Sequence, residues 1–200
     1  MKPKSSLLTS SQRTALQSGD LVFTAVRSPF YRQVARTCRS WESHVGIIFR
    51  EADGELVVAE SRVPVSSYTM LEKFLARSAE GKFAIRRLHG GLTEEQAIRL
   101  RQAADARMGR IYHLGFDYDS RREFCSKLVY AAYHEALDIE VGQLETFDEL
   151  LHQNPTAPIG FWRAWFFGFI PWQRRTVTTT SVLNSPHLTT ILQSGNLALA

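Results

Sequence analysis

The chain has 200 residues, 44% hydrophobic and 22% charged, which bounds it to one globular domain with a substantial core, or one domain plus an appendage. Its net charge of +4 comes from scattered basic residues, with local pairs at Arg86-Arg87, Arg121-Arg122 and Arg174-Arg175. There is no basic face and no recognition motif, so no nucleic-acid partner is expected. Two cysteines, Cys38 and Cys125, are too few for a disulfide framework. No run reaches the length of a membrane span, and Met1 to Asp20 lacks the apolar core of a signal peptide. The expectation is a cytoplasmic protein with both thiols reduced.

Residues 1–18 are polar and read as a flexible N-terminal segment. Gly19-Asp20 is a turn signal, and Leu21 to Val26 is a β-rich run, the first strand. Ser28 to Arg39 mixes aromatic and basic residues and fits a short helix after Pro29. Trp41 to Phe49 opens with polar residues, including Ser43 and His44, and becomes an almost wholly apolar strand. Asp53-Gly54 marks a tight turn, and Leu56 to Glu60 returns as the hairpin partner. The loop length decides where Glu60 points. A two-residue loop pairs residues 52 and 55 and puts Glu60 on the face opposite His44. A three-residue loop, Ala52-Asp53-Gly54 with Gly54 in the left-handed bulge position, pairs 51 with 55 and makes His44 and Glu60 diagonal neighbours on one face. The three-residue loop is adopted, and Glu60 then accepts from one imidazole nitrogen while the other faces a nucleophile.

Ser67 to Arg77 carries Leu71, Phe74 and Leu75 at helical spacing, and Phe83 to Leu88 reads as a strand. Thr93-Glu94-Glu95-Gln96 is a capping box for a helix that Gly109 ends. Gly109 to Tyr118 is rich in aromatics and reads as extended. Leu128, Val129, Ala132, Ala136 and Leu137 then recur at three- and four-residue intervals, which predicts a helix after Cys125. A cysteine in that first turn meets unpaired N–H groups that favour thiolate over thiol. Ser120-Arg121-Arg122-Glu123 also fits a capping box and would start the helix earlier, weakening the effect.

Each of these residues has an ordinary reading. Cys125 fits a small buried apolar side chain, His44 a satisfied histidine at a strand entrance, and Glu60 a carboxylate at a strand end. Tyr112 fits a core ring with its hydroxyl at the surface. Taken together, a histidine leading one strand, a carboxylate ending the next and a lone cysteine opening a later helix are the parts of an activated-nucleophile site. The six histidines show no zinc-site spacing with cysteines or carboxylates, and neither a phosphate loop nor a G-x-S-x-G elbow is present. No metal and no cofactor is expected.

Toward the C-terminus, Thr146 to Leu151 reads as a short helix and Pro155 to Pro158 as a linker. Residues 161–172 then hold seven aromatics, too short a run to cross a bilayer. One reading has most of these rings covering an apolar flank of the core, with one or two tryptophans at the rim. The other makes Phe161 to Trp172 a peripheral membrane or acyl-chain contact, with Arg174-Arg175 on anionic headgroups. The first is preferred. Thr176 to Ala200 is Ser/Thr-rich and largely uncharged and reads as a C-terminal arm.

The order of Gly19-Asp20 with its strand, Ser43-His44-Val45-Gly46-Ile47, Glu60, Gly109-x-x-Tyr112 and Cys125-Ser126-x-Leu128-Val129 resembles the circularly permuted branch of the NlpC-like papain-fold cysteine hydrolases, the YebB/YiiX type. In ordinary members the cysteine precedes the histidine; here His44 comes first. The resemblance implies Cys125 as nucleophile, His44 as general base, Glu60 as the residue orienting the imidazole, and Tyr112 near the oxyanion and substrate. It implies an α+β fold over residues 19–175, a small antiparallel sheet or open barrel packed on the helix that bears the cysteine. It also implies amide hydrolysis of a small peptide-like or acylated substrate. The distant lecithin:retinol acyltransferase-like relatives point instead to a lipid or thioester acyl bond, and a catalytically silent binding module on the same fold is a third reading. Two departures bear on substrate preference: Lys127 stands where relatives often carry glutamate, and His113 where they often carry aspartate.

Overall fold

The computed structural model describes residues 7–194. Thr9 and Gln12 form a reciprocal capping box on α1 (Ser10–Ala15), and Leu8 and Leu16 on either side of it are buried. Residues 7–18 are therefore seated on the domain, against the expectation of a flexible segment, because two leucines flanking one capped turn anchor it; residues 1–6 of that segment lie outside the described residues. β1 (Leu21–Val26) follows, then α2 (Pro29–Thr37), opened by a proline whose missing N–H costs nothing at that position. β2 (His44–Arg50) and β3 (Leu56–Ser61) form the hairpin.

The helix expected from Ser67 is divided. Its first residues are β4 (Ser66–Met70), where Thr69 and Tyr68 lie opposite Val58 and Ala59, and only Leu71–Ala76 is helical, as α3. Pairing with a neighbouring strand outweighs the helical spacing of three apolar residues. β5 (Ser78–Leu88) is followed by α4 (Glu94–Asp105), which Thr93 and Gln96 cap as expected, and by α5 (Cys125–Leu137). The remainder is β6 (Leu144–Thr146), α6 (Phe147–Gln153), α7 (Ile159–Trp165), β7 (Arg175–Val177), α8 (Thr179–Leu183) and β8 (Leu188–Gln193).

Six strands make one antiparallel sheet in the order β4-β3-β2-β1-β5-β8, and β6 pairs with β7 in a small second sheet. The stretch read as a C-terminal arm therefore belongs to the domain through residue 194. Its Leu188, Thr189, Thr190 and Leu192 pair with β5, since Ser/Thr-rich sequence is well suited to an edge strand. Residues 195–200 lie outside the described residues.

The sheet separates two apolar cores. On one face Leu21, Phe23, Val45, Ile47 and Ala59 pack with Leu128, Val129, Ala132 and Tyr133 of α5. On the other, Val22, Ile48, Leu56, Val58 and Ile85 pack with Leu71, Phe74 and Leu75 of α3 and with Leu8 and Leu16. The alternation along β1 and β2 is the two-residue period of strands buried on both faces.

Candidate active site

The hairpin loop sets the geometry of the site. Glu51 N–H donates to Glu55 O at 2.8 Å, Ile47 lies opposite Ala59, and Gly54 has φ +86°, the left-handed value that the three-residue loop requires. In this register Glu60 lies across from Gly46, diagonal to His44 and on its face. Gly46 is needed there, because a Cβ would come within 2.4 Å of Val58 Cγ1 and 2.8 Å of Ala59 O. His44 Nε2 and Glu60 Oε2 meet at 2.6 Å, both buried. Glu60 is held from its other side, where Thr69 Oγ1 and Arg77 Nη2 each donate to Oε1 at 2.6 Å and Arg62 Nε lies at 3.7 Å. The imidazole stacks on Phe74 of α3, with centroids 5.3 Å apart.

His44 begins β2 and Cys125 begins α5, and the two starts meet. Nδ1 of His44 makes no well-aligned hydrogen bond, while the Cys125 thiol is close enough to the ring to hydrogen-bond with it and to feel its charge. Burial alone would lower the histidine pKa. The interactions with Cys125 and then with Glu60 outweigh it and raise the group to about 9. For Cys125 burial pushes upward, but the hydrogen bond and charge of His44, followed by the N–H groups of Val45 and Ser126, bring the thiol below its ordinary range. Glu60 shows the same balance: burial raises it, the His44 hydrogen bond and charge lead the terms that lower it, and it ends at about 2. Each of the three shifts favours the charged form of its group: imidazolium, thiolate and carboxylate.

The start of α5 is also unusual in what it omits. Its N-cap is Phe124, which has no side-chain oxygen to take the first amides, and the Ser120-to-Glu123 capping box does not form. The early N–H groups therefore stay available to the sulfur. Glu123 is instead buried, its Oε2 3.4 Å from Arg110, and its backbone brackets the next residue of the site: Glu123 N–H donates to Ile111 O and His113 N–H to Glu123 O. Tyr112 is thereby fixed in a short bridge. Its hydroxyl is buried beside Cys125 and Tyr31, and burial followed by the charge of Cys125 keeps it protonated far above the ordinary tyrosine range.

All four residues singled out by sequence thus come together. Sequence reasoning missed Thr69 and Arg77, which brace Glu60, because β4 was read as helix; Arg77 left no pattern of its own. It also missed Tyr31, the third residue of α2, whose hydroxyl interacts with Tyr112 and whose pKa is raised to about 12 by burial and then by Cys125. Lys127 Nζ donates to the carbonyls of Ser120 and Arg122, so it ties down the loop ahead of Cys125. His113 Nδ1 accepts from Gly115 N–H in the turn that follows Tyr112.

One cavity touches Cys125, and a second lies nearby without reaching either Cys125 or His44. The first is narrow, about 40 Å³, touches Ser126 as well and is otherwise lined mainly by apolar groups, among them Phe116, Phe147, Leu150, Trp162 and Val177. The second, wider at about 380 Å³, lies beyond Tyr31, and Ser43, next to His44, lines both.

Comparison with known proteins identifies the family and the fold. The sequence profile of the permuted papain-like amidase enzymes, YaeF/YiiX, C92 family, matches residues 15–192. The chain belongs to this family. The uncharacterized protein YiiX of Escherichia coli K12 is 29% identical over 175 residues, covering 88% of this chain and 85% of YiiX. The crystal structure described as metalloprotein yiiX from Escherichia coli O157:H7 superposes with a TM-score of 0.83 at 29% identity, over 89% of this chain and 97% of that one. The α+β fold read from sequence is thus the YiiX/papain-like one, in the form of a six-stranded open sheet. The word metalloprotein belongs to that structure. Among the described residues here, no three His, Cys, Asp or Glu side chains converge as ligands, and His44 and Glu60 are engaged with each other, so the donor set does not fit a metal. No helix among the described residues is long and apolar enough to cross a membrane.

Proposed function

We propose that this permuted papain-like amidase cleaves an amide bond through an acyl-enzyme on Cys125. The observation that carries the reading is the buried chain Cys125–His44–Glu60, with thiol and imidazole shifted toward the ion pair. The Cys125 thiolate bonds to the carbonyl carbon, and the carbonyl electrons move onto oxygen, where the Tyr112 hydroxyl and the first amides of α5 donate. As the oxyanion collapses the C–N bond breaks, and the His44 imidazolium gives its proton to the departing amine. Neutral His44 then takes a proton from water, whose oxygen attacks the thioester. The C–S bond breaks, the acid leaves, and the thiolate–imidazolium pair is restored. Glu60 holds the ring orientation and stabilises its positive form. The narrow apolar cavity against Cys125 favours an apolar acyl portion.

A series of N-acyl amides, incubated with the protein and followed by mass spectrometry, tests the reading. Hydrolysis by the wild type, absent in Cys125→Ala and His44→Ala, is the expected result. Binding of these amides without hydrolysis would replace the enzyme by a silent binding module, and hydrolysis surviving in Cys125→Ala would move the chemistry elsewhere.

A second reading, an acyl substrate drawn from a membrane, is favoured by one observation. Of the aromatic segment only Trp162 and Ile170 are buried; Phe161, Trp165 and Phe166 are half-buried, and Phe167 and Phe169 are 93% and 86% exposed. The expectation that the rings are covered with tryptophans at the rim therefore fails at these two phenylalanines. The chain leaves α7 through a turn in which Phe167 and Gly168 have φ of 52° and 99°, and the turn carries both rings outward. The neighbouring Arg163 is exposed with no ion pair among the described residues, which suits an anionic surface. Co-sedimentation with phosphatidylglycerol vesicles, abolished in the Phe167→Ser, Phe169→Ser variant, is the result this reading requires. Absence of wild-type binding would remove it.

A further inference from the structure

The larger cavity carries an assignment that the Cys125 chemistry does not supply. Its volume, about 380 Å³, falls in the range of small-molecule sites, whereas the narrow cavity holds little more than a short alkyl group. It is bounded by the end of β1, the first turn of α2, Trp41 and the beginning of β5, and its lining includes Arg27, Tyr31, Arg32, Ser43 and Glu80. Two of these residues connect it to the reaction: Tyr31 interacts with Tyr112 and feels the charge of Cys125, and Ser43 precedes His44.

The charges are informative because of what they leave unpaired. Most arginines near the site have a carboxylate partner: Arg77 and Arg62 on Glu60, Arg110 on Glu123, Arg174 on Asp117, Arg175 on Asp119. Arg27 and Arg32 have none within ion-pair distance among the described residues, and both are exposed. The lone carboxylate lining the cavity, Glu80, pairs with Lys82 at 2.7 Å and feels Arg27 only as a more distant charge, so neither Arg27 nor Arg32 is neutralised at contact. The positive end of the α2 dipole adds to the same sign.

We infer that this cavity is a subsite for an anionic group, a carboxylate or a phosphate, on the amine portion of the substrate. The assignment to the amine side rests on the amidase reading. The narrow cavity touches Cys125 itself and so holds the acyl portion that stays bonded to sulfur. The wider one is set back behind Tyr31 and receives the portion that leaves first. Trp41 offers an apolar wall for whatever joins the anion to the amide nitrogen, and a forked guanidinium suits either oxyanion.

Three analogues sharing a butanoyl group test the inference: N-butanoyl-leucine, N-butanoyl-leucinamide and N-butanoyl-phosphoethanolamine. Their affinities are measured by calorimetry for the full-length Cys125→Ala protein, which retains the cavity and cannot turn them over. At least one anionic analogue is expected to bind ten-fold or more tightly than the carboxamide, consistent with charge-assisted hydrogen bonds, and to lose that advantage as salt is raised. In the Arg27→Gln, Arg32→Gln variant, shown by its melting temperature to be folded, the preference disappears. Which anion binds better separates an amino-acid leaving group from a phosphate headgroup. Equal binding of all three analogues, binding of none, or a preference that survives in the double variant would overturn the subsite. Because the readout is binding, it stands apart from the turnover test of the amidase reading.

Discussion

Replacing Glu60 by glutamine removes a charge while keeping the size and one acceptor oxygen, so it isolates the electrostatic support of His44. Glu60 is fully buried, and its pKa sits at about 2 against an ordinary 4.5. A difference of that size corresponds to about 3 kcal/mol, shared among His44, Thr69 and Arg77. The part that belongs to His44 is on the order of 1 to 2 kcal/mol, or about ten-fold in the population of the thiolate–imidazolium pair. The signs follow from the two shifts. His44 is raised to about 9, so the imidazolium and the stability it contributes are complete below its ordinary 6.5 and are lost as pH rises through about 9. Glu60 is lowered, so its contribution is present above 4.5 and lost as pH falls through about 2. In Glu60→Gln the alkaline limb of kcat/KM should move from near pH 9 downward by about one unit, and iodoacetamide should alkylate Cys125 about ten-fold more slowly at pH 6. An unmoved alkaline limb together with alkylation within two-fold of wild type would refute the reasoning.

Cys38 is half-buried near Glu42, and desolvation followed by that carboxylate pushes its thiol up to about 12. At pH 7 Cys125 should therefore be alkylated at least a hundred-fold faster than Cys38, read by peptide mass mapping; equal labelling would count against activation. Tyr112→Phe should lower kcat by ten- to a hundred-fold with little change in KM, as expected of a donor used mainly in the transition state; a change confined to KM would assign it to ground-state binding. Gly46→Ala should lower the melting temperature and slow Cys125 alkylation together, because the added methyl meets Val58 and the Ala59 carbonyl and forces apart the strands that align His44 with Glu60. A stable variant with normal reactivity would show that the hairpin tolerates the shift.

The parts of this site legible in the sequence were those governed by local rules. Gly54 favours a three-residue loop, and the register of that loop puts Glu60 beside His44; the helical period after Cys125 puts the cysteine in or near a first turn, with an earlier start at Ser120 also open. What stayed hidden depended on long-range pairing. Ser66–Met70 carries no strong strand signal of its own, and it becomes β4 only because β3 is there to pair with. Thr69 and Arg77 therefore could not be assigned to Glu60. Tyr31 lies 81 residues before Tyr112, in a helix whose sequence says nothing of what it covers. Leu188–Gln193 looked like a tail because an edge strand needs little hydrophobicity, and its partner β5 is about a hundred residues away.

The central claim, an acyl-enzyme on Cys125, is tested most directly by intact-mass spectrometry after rapid acid quenching of the protein mixed with p-nitrophenyl butanoate. The account predicts a single added butanoyl group that maps to Cys125, appears with a burst of nitrophenolate, and is absent in Cys125→Ala. Because water activation is assigned to His44, any adduct that forms in His44→Ala should persist. Turnover with no adduct on Cys125 at any quench time, or an adduct of equal yield on another residue in Cys125→Ala, would contradict it.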